Sequence, residues 1–139
     1  MNKYRKAILI GMCLGDGSVK KVFTIKNGIK TQSLAAEFSV THGIKQKPYM
    51  EYKAVLLGKQ LNQKPPNINY YTSQTEYGLI DYCKMSKYHR YFRVIRKWLY
   101  PNDKKTISRF ILNKLNPEAI AIWYMDDGGV SKKKNKYCF

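Results

Sequence analysis

The chain has 139 residues, is 44% hydrophobic, and sets 26 Lys and Arg against 9 Asp and Glu, a formal net charge of +17. That length holds one cored domain and not two of ordinary size, and basic residues spread from Lys3 to Lys136 favour a folded basic surface for a polyanion over a basic tail. Cys13, Cys83 and Cys138 are scattered without C-x-x-C spacing, which excludes a zinc ribbon or disulfide framework, and no apolar run approaches the roughly 18 residues of a membrane span.

Residues 4–14 have a helical pattern that turns apolar on nearly every side after Ala7, which predicts a helix covered by a sheet on one face and by a second helix elsewhere. Gly11 would let that second helix approach, and Gly17 stands where a left-handed cap is expected. Residues 22–26 and 34–42 read as strands around the polar stretch 27–32. An amphipathic helix is expected over 45–61, opening near Pro48, with Tyr49, Tyr52, Val55, Leu56 and Leu57 inward. Pro65 and Pro66 end it.

A second strand pair follows at 68–73 and 77–85, joined through 74–76. Residues 88–99 predict a helix with Phe92, Ile95, Trp98 and Leu99 inward and Arg90, Arg93, Arg96 and Lys97 outward. Residues 106–115 fit a short helix or an extended segment. Asn116-Pro117-Glu118 then carries three helix-start signals: an N-cap, a proline in the first turn and an acid at the positive end of the dipole. Hairpins alternating with helices predict an α+β fold, an antiparallel sheet with helices on one face.

The first and last of these helices both run into Asp-Gly, at Leu14-Gly15-Asp16-Gly17 and at Met125-Asp126-Asp127-Gly128. An acid at a helix C-terminus gains nothing from the dipole and faces free carbonyl oxygens. A divalent cation reverses that balance, because carboxylates and exposed carbonyls are what Mg²⁺ accepts. If the two apolar helices pack together, Asp16 and Asp127 meet at one end. In so basic a chain, that predicts a magnesium-dependent enzyme acting on nucleic acid.

The stretches Leu9-Ile10-Gly11-Met12-Cys13-Leu14-Gly15-Asp16-Gly17 and Ile120-Ala121-Ile122-Trp123-Tyr124-Met125-Asp126-Asp127-Gly128 resemble the two motifs of the LAGLIDADG homing endonucleases. Phe38-Ser39-Val40-Thr41-His42, Lys45-Gln46-Lys47-Pro48-Tyr49, Tyr77-Gly78, Lys104-Lys105-Thr106-Ile107 and Leu115-Asn116-Pro117 extend the likeness to the branch common in phage and organelle introns. The resemblance implies an αββαββα half whose motif helices form the central interface, with Gly11 and Ala121 as its small residues, and whose sheet lies in the DNA major groove. It implies metal ligation by the carboxylates of Asp16 and Asp127, assisted by the carbonyls of Gly15 and Asp126. It further places a basic residue near the scissile phosphate at Lys105, with Lys104 its rival, and a water-ordering polar residue at His42.

The implied activity is site-specific double-strand DNA cleavage in a cytoplasm, of a phage or its bacterial host, or in an organelle matrix. The alternative is an intron maturase whose partner is RNA. Strand side chains alternate at period two, so the DNA contacts are expected at Lys21, Lys26, Gln32, Tyr71, Ser73, Tyr82 and Lys84. Residues 1–116 read as a first half-domain, and 117–139 as the second motif helix with the start of a truncated second half, residues 132–139 opening a missing strand. A second half-chain or a homodimer would complete the site. With one sheet the chain would touch about half of a long target and bind in a strongly salt-dependent way. Tyr124-Met125-Asp126-Asp127 also resembles a reverse transcriptase signature, but a polymerase sets its acids on a hairpin, and Asn116-Pro117-Glu118 opens a helix.

Overall fold

The structure, a computed structural model, describes residues 1–127, 129–131 and 136–138. Gly128, residues 132–135 and Phe139, on which the end of the second motif and part of the expected opening strand fall, lie outside the described residues. Helix α1 (Lys3–Leu14) is capped by Asn2, whose side chain accepts from the Arg5 N–H. Strand β1 (Ser18–Lys26) turns at Asn27-Gly28, with φ of 50° and 75°, directly into β2 (Ile29–Gly43). Two successive positive φ values match the twist of paired strands, so the hairpin closes in two residues and both strands outrun their expected lengths.

A single 3₁₀ turn leads into α2 (Lys47–Leu61), followed by β3 (Ile68–Thr75), β4 (Gly78–His89) and α3 (Arg90–Leu99). The segment before the second motif holds one helical turn, α4 (Arg109–Leu112). Helix α5 (Pro117–Asp127) starts where expected, the Asn116 side chain accepting from the Ala119 N–H at 2.8 Å. Strands β5 (Gly129–Ser131) and β6 (Lys136–Cys138) form a short antiparallel pair.

The main sheet is antiparallel in the order β1-β2-β4-β3. Val19, Ala36, Phe38, Val40, Cys83 and Met85 form its buried face, against Met50, Ala54 and Leu57 of α2 and Phe92, Ile95 and Leu99 of α3. Phe38 and Phe92 stack with centroids 5.2 Å apart. Everything in α1 from Ala7 to Leu14 is buried, because α5 covers the side that the sheet and α2 leave open.

Gly11 sits at that helix contact: a Cβ there would lie 2.6 Å from the Ala119 carbonyl oxygen and 2.9 Å from Ala119 Cα. Ala119, not Ala121, is the small partner, since Ala119 and Ile122 form the buried edge of α5 and Ala121 projects to the exposed side. Backbone cannot swing aside like a side-chain tip, so Gly11→Ala is expected to cost about 1–3 kcal/mol, read as a lowered midpoint of thermal unfolding. Gly17 does not take the positive φ expected of a left-handed cap. It is needed for space, since a Cβ would meet the Met12 carbonyl oxygen at 2.3 Å and the Phe38 ring at 2.6 Å.

Helix α2 turns a different face inward from the one expected: Met50, Lys53, Ala54, Leu57, Gly58, Gln60 and Leu61 are buried, while Tyr52 and Val55 are 47% and 61% exposed. The buried Lys53 accounts for the shift, because a hydrophobic stripe never ranks lysine inward unless a counter-ion waits there. On α3, Arg96 folds back from the expected outer face to donate to the Val19 carbonyl and to Asp103.

Candidate active site and nucleic-acid interface

Helices α1 and α5 end side by side, and their terminal acids gather there. The Asp126 side chain is fully buried: its Oδ2 accepts the Asp16 N–H at 3.2 Å, and its Oδ1 accepts the Tyr49 hydroxyl at 2.8 Å. Lys53 Nζ lies 2.9 and 3.0 Å from the two Asp126 oxygens and 3.2 Å from His42 Nε2. His42 Nδ1 faces Asp16 Oδ2 at 3.5 Å. Gly15 lets this assembly close, since a Cβ on it would lie 2.4 Å from the Asp126 carboxylate.

The Asp16 side chain remains 42% exposed. Burial, then the charge of Asp126, pushes its carboxyl above the usual carboxylate range; His42 opposes this, and Asp127 adds to it. Asp127 is itself exposed, and one of its oxygens accepts the Trp123 indole N–H at 3.1 Å. A raised carboxyl holds its proton to a higher pH, so divalent-ion affinity at Asp16 is expected to begin falling, as pH drops, at a higher pH than at an ordinary aspartate. Titration of the chain with Mn²⁺ at stepped pH checks this.

Lys105 Nζ donates to the carbonyls of Gly15 at 2.8 Å and of Gly17 at 2.9 Å, bracketing Asp16. Burial lowers its affinity for a proton, and the nearby acids act to restore it. The Gly15 carbonyl, expected to assist a metal, thus also accepts from an ammonium. His42, expected to order a water, is buried behind Asp16, where burial and then Lys53 favour the neutral ring. Tyr124-Met125-Asp126-Asp127 forms the last turn of a helix, not a polymerase hairpin.

Five of the expected DNA contacts share the sheet's open face. Tyr71 and Tyr82 pair across strands and stack at 5.3 Å, Lys84 pairs with Thr41 and Asn69, Ser73 follows Tyr71 at period two, and Lys26 shares the side of Thr24. Lys21 and Gln32 do not belong there: they line a cleft with Arg93, Arg96, Tyr100 and Asp103 on the helix side, and Lys21 pairs with Asp103 at 2.9 Å. Lys21 has the parity of the buried Val19, and the irregularity between Lys21 and Phe23 keeps Gln32 on that same side. Lys20, Thr41 and Asn69 occupy open-face positions that sequence reasoning missed.

Sequence reasoning also missed Tyr49 and Lys53 as site residues. Taking the phase of α2 from Met50, Ala54, Leu57 and Leu61 would have set a lysine inside an apolar stripe, which is the signal of a buried ion pair.

The model of the LAGLIDADG DNA endonuclease family matches residues 6–138. This chain belongs to that family. The LAGLIDADG chain is 27% identical over 141 residues to a probable intron-encoded endonuclease 1 of Wickerhamomyces canadensis, covering 98% of itself and 56% of that protein. It is 32% identical over 124 residues to a protein RecA of Mycolicibacterium flavescens, covering 87% of itself and 25% of that protein. The homing endonuclease I-WcaI bound to its DNA recognition sequence matches in fold with a TM-score of 0.61 at 22% identity, over 96% of this chain and 54% of that one. The chain thus spans about a quarter of the RecA relatives and about half of the endonucleases it matches. No helix among the described residues is long and apolar enough to cross a membrane.

Proposed function

We propose that this chain supplies the first half of a divalent-metal-dependent, site-specific DNA endonuclease. Residues 1–116 form one half-domain and 117–139 open the second. The observation that carries this reading is the meeting of Asp16 with the Asp126-Asp127 pair at one end of two packed motif helices, with Lys105 bracketing the first acid. Two carboxylates open to solvent, those of Asp16 and Asp127, suit a hard divalent ion such as Mg²⁺. Asp16 and Asp127 would hold the metal, which would supply an acidified water and charge for the phosphoryl oxygens.

The remaining work falls to the chain's own residues. Lys105 holds positive charge beside the acids, where negative charge develops on the phosphate. Lys26, Lys84 and Lys20 meet backbone phosphates of a duplex on the open face, while Tyr71, Tyr82, Ser73 and Asn69 reach base edges or sugars. Helix α5 leaves Ile120 and Met125 nearly half exposed, an apolar side fit for the second half-domain or a second chain. A reducing cytoplasm or organelle matrix suits the buried free thiols Cys13 and Cys83.

Incubating the chain with a randomised duplex library, with Mg²⁺ or Mn²⁺, and sequencing the cut ends tests the proposal. A recurrent site among cut or bound duplexes is expected. Recovery of a random set with either ion rejects it.

A further inference from the structure

Asp16, His42 and Asp126 offer ligand atoms within 4.8 Å of one another, close enough to share a metal ion. We propose that no divalent ion enters this group: the Lys53 ammonium fills it, and with Tyr49 forms an acid-selective seat that docks the second motif helix and positions Asp16. The seat stands on its own geometry, and only its effect on cleavage rests on the nuclease reading above.

The donor and acceptor count carries the assignment. A carboxylate offers about four lone-pair sites. Asp126 meets Lys53 through both oxygens, Tyr49 through one and the Asp16 N–H through the other, with its side chain fully buried. Nothing is left for a metal. An ammonium has no acceptor, so Lys53 must donate to His42 Nε2, which leaves the neutral ring's proton on Nδ1, facing Asp16 Oδ2. Lys53 thereby steers Asp16 along two routes, the Asp126 carboxylate and the His42 ring.

The seat also chooses its helix. Asp126 stands just before the final acid of the second motif, where the first motif has Gly15. Were the first motif of a second copy to dock in place of the second, it would bring Gly15 and no carboxylate to the position of Asp126, and Lys53 would be a buried, unpaired charge, a strongly destabilising arrangement. This half-domain therefore selects an acid-bearing second motif helix over a copy of its own first.

Full-length Lys53→Met, Asp126→Leu and the double variant decide the matter by thermal unfolding, Mn²⁺ binding and single-site cleavage. Each single change is expected to lower the midpoint by roughly 10 °C or more, and the double to regain most of that loss. Should a single variant not fold, a folded double is the same result, whereas losses that simply add overturn the pair. The double variant is expected to bind Mn²⁺ within about 3-fold of the parent, and a fall beyond about 10-fold makes Asp126 a metal ligand and overturns the seat. Cleavage by the folded double should lose kcat with KM unchanged, because Asp16 has lost its guides; an unaltered kcat refutes the positioning role. If the parent chain neither binds Mn²⁺ nor cuts DNA, the nuclease reading fails while the unfolding comparison still decides the seat.

Discussion

Asp16→Asn is expected to cut metal-dependent cleavage by more than the roughly 10²–10³-fold that follows removal of a single oxyanion-hole donor. A metal-binding carboxylate carries a full charge where such a donor carries a partial one, so the loss should sit at or beyond the upper end. The amide keeps the size of the side chain and leaves the Asp16 backbone N–H free to reach Asp126, so the fold is spared. Because Asp16 repels Asp126 and Asp127, and its carboxyl is held up by burial, neutralising it relieves an electrostatic cost. DNA binding should hold or tighten, since a negative charge is removed from beside a polyanion. Single-turnover cleavage with Mg²⁺ and Mn²⁺, run beside a gel-shift series, reads both effects. Cutting at the parent rate by the Asn variant ends the metal assignment.

Lys105→Met should be nearly as damaging to the rate, by about 10²–10³-fold, through loss of the fixed positive charge beside the reacting phosphate. It should also destabilise, because the ammonium satisfies two carbonyls at the end of α1 that no intrahelical N–H can reach. Charge-assisted bonds of this kind contribute about 1.5–3 kcal/mol. Lys105→Arg restores charge but replaces a point donor by a planar fork, which does not fit between two carbonyls of one chain turn, so only part of the rate should return. Rates are compared after unfolding curves establish that each variant is folded at the assay temperature. A Met variant of undiminished rate would move the role to the exposed Lys104.

The motif helices were legible because their signals are local. An apolar run into Asp-Gly, Gly11 among large residues and Asn116-Pro117-Glu118 each constrain the backbone within a few positions. Lys26, Tyr71, Ser73, Tyr82 and Lys84 were placed on the open face by strand alternation alone. Lys21 and Gln32 were misplaced because face assignment near an irregular register depends on which neighbour marks the buried side, and Val19 and Ala36 mark it only once β1 and β2 are paired. Asp103 then draws Lys21 to the helix side.

From its residues alone, this chain determined its α+β order of elements, the meeting of two acidic helix ends and the presence of a basic open strand face, because periodicity, capping and glycine spacing act over short stretches. Only the tertiary structure decided that Asp126 is the buried acid and Asp127 the exposed one, that Ala119 faces Gly11, and that Lys53 lies inward. A charge is buried only where its counter-charge meets it, and the partner of Lys53 arrives from 73 residues along the chain.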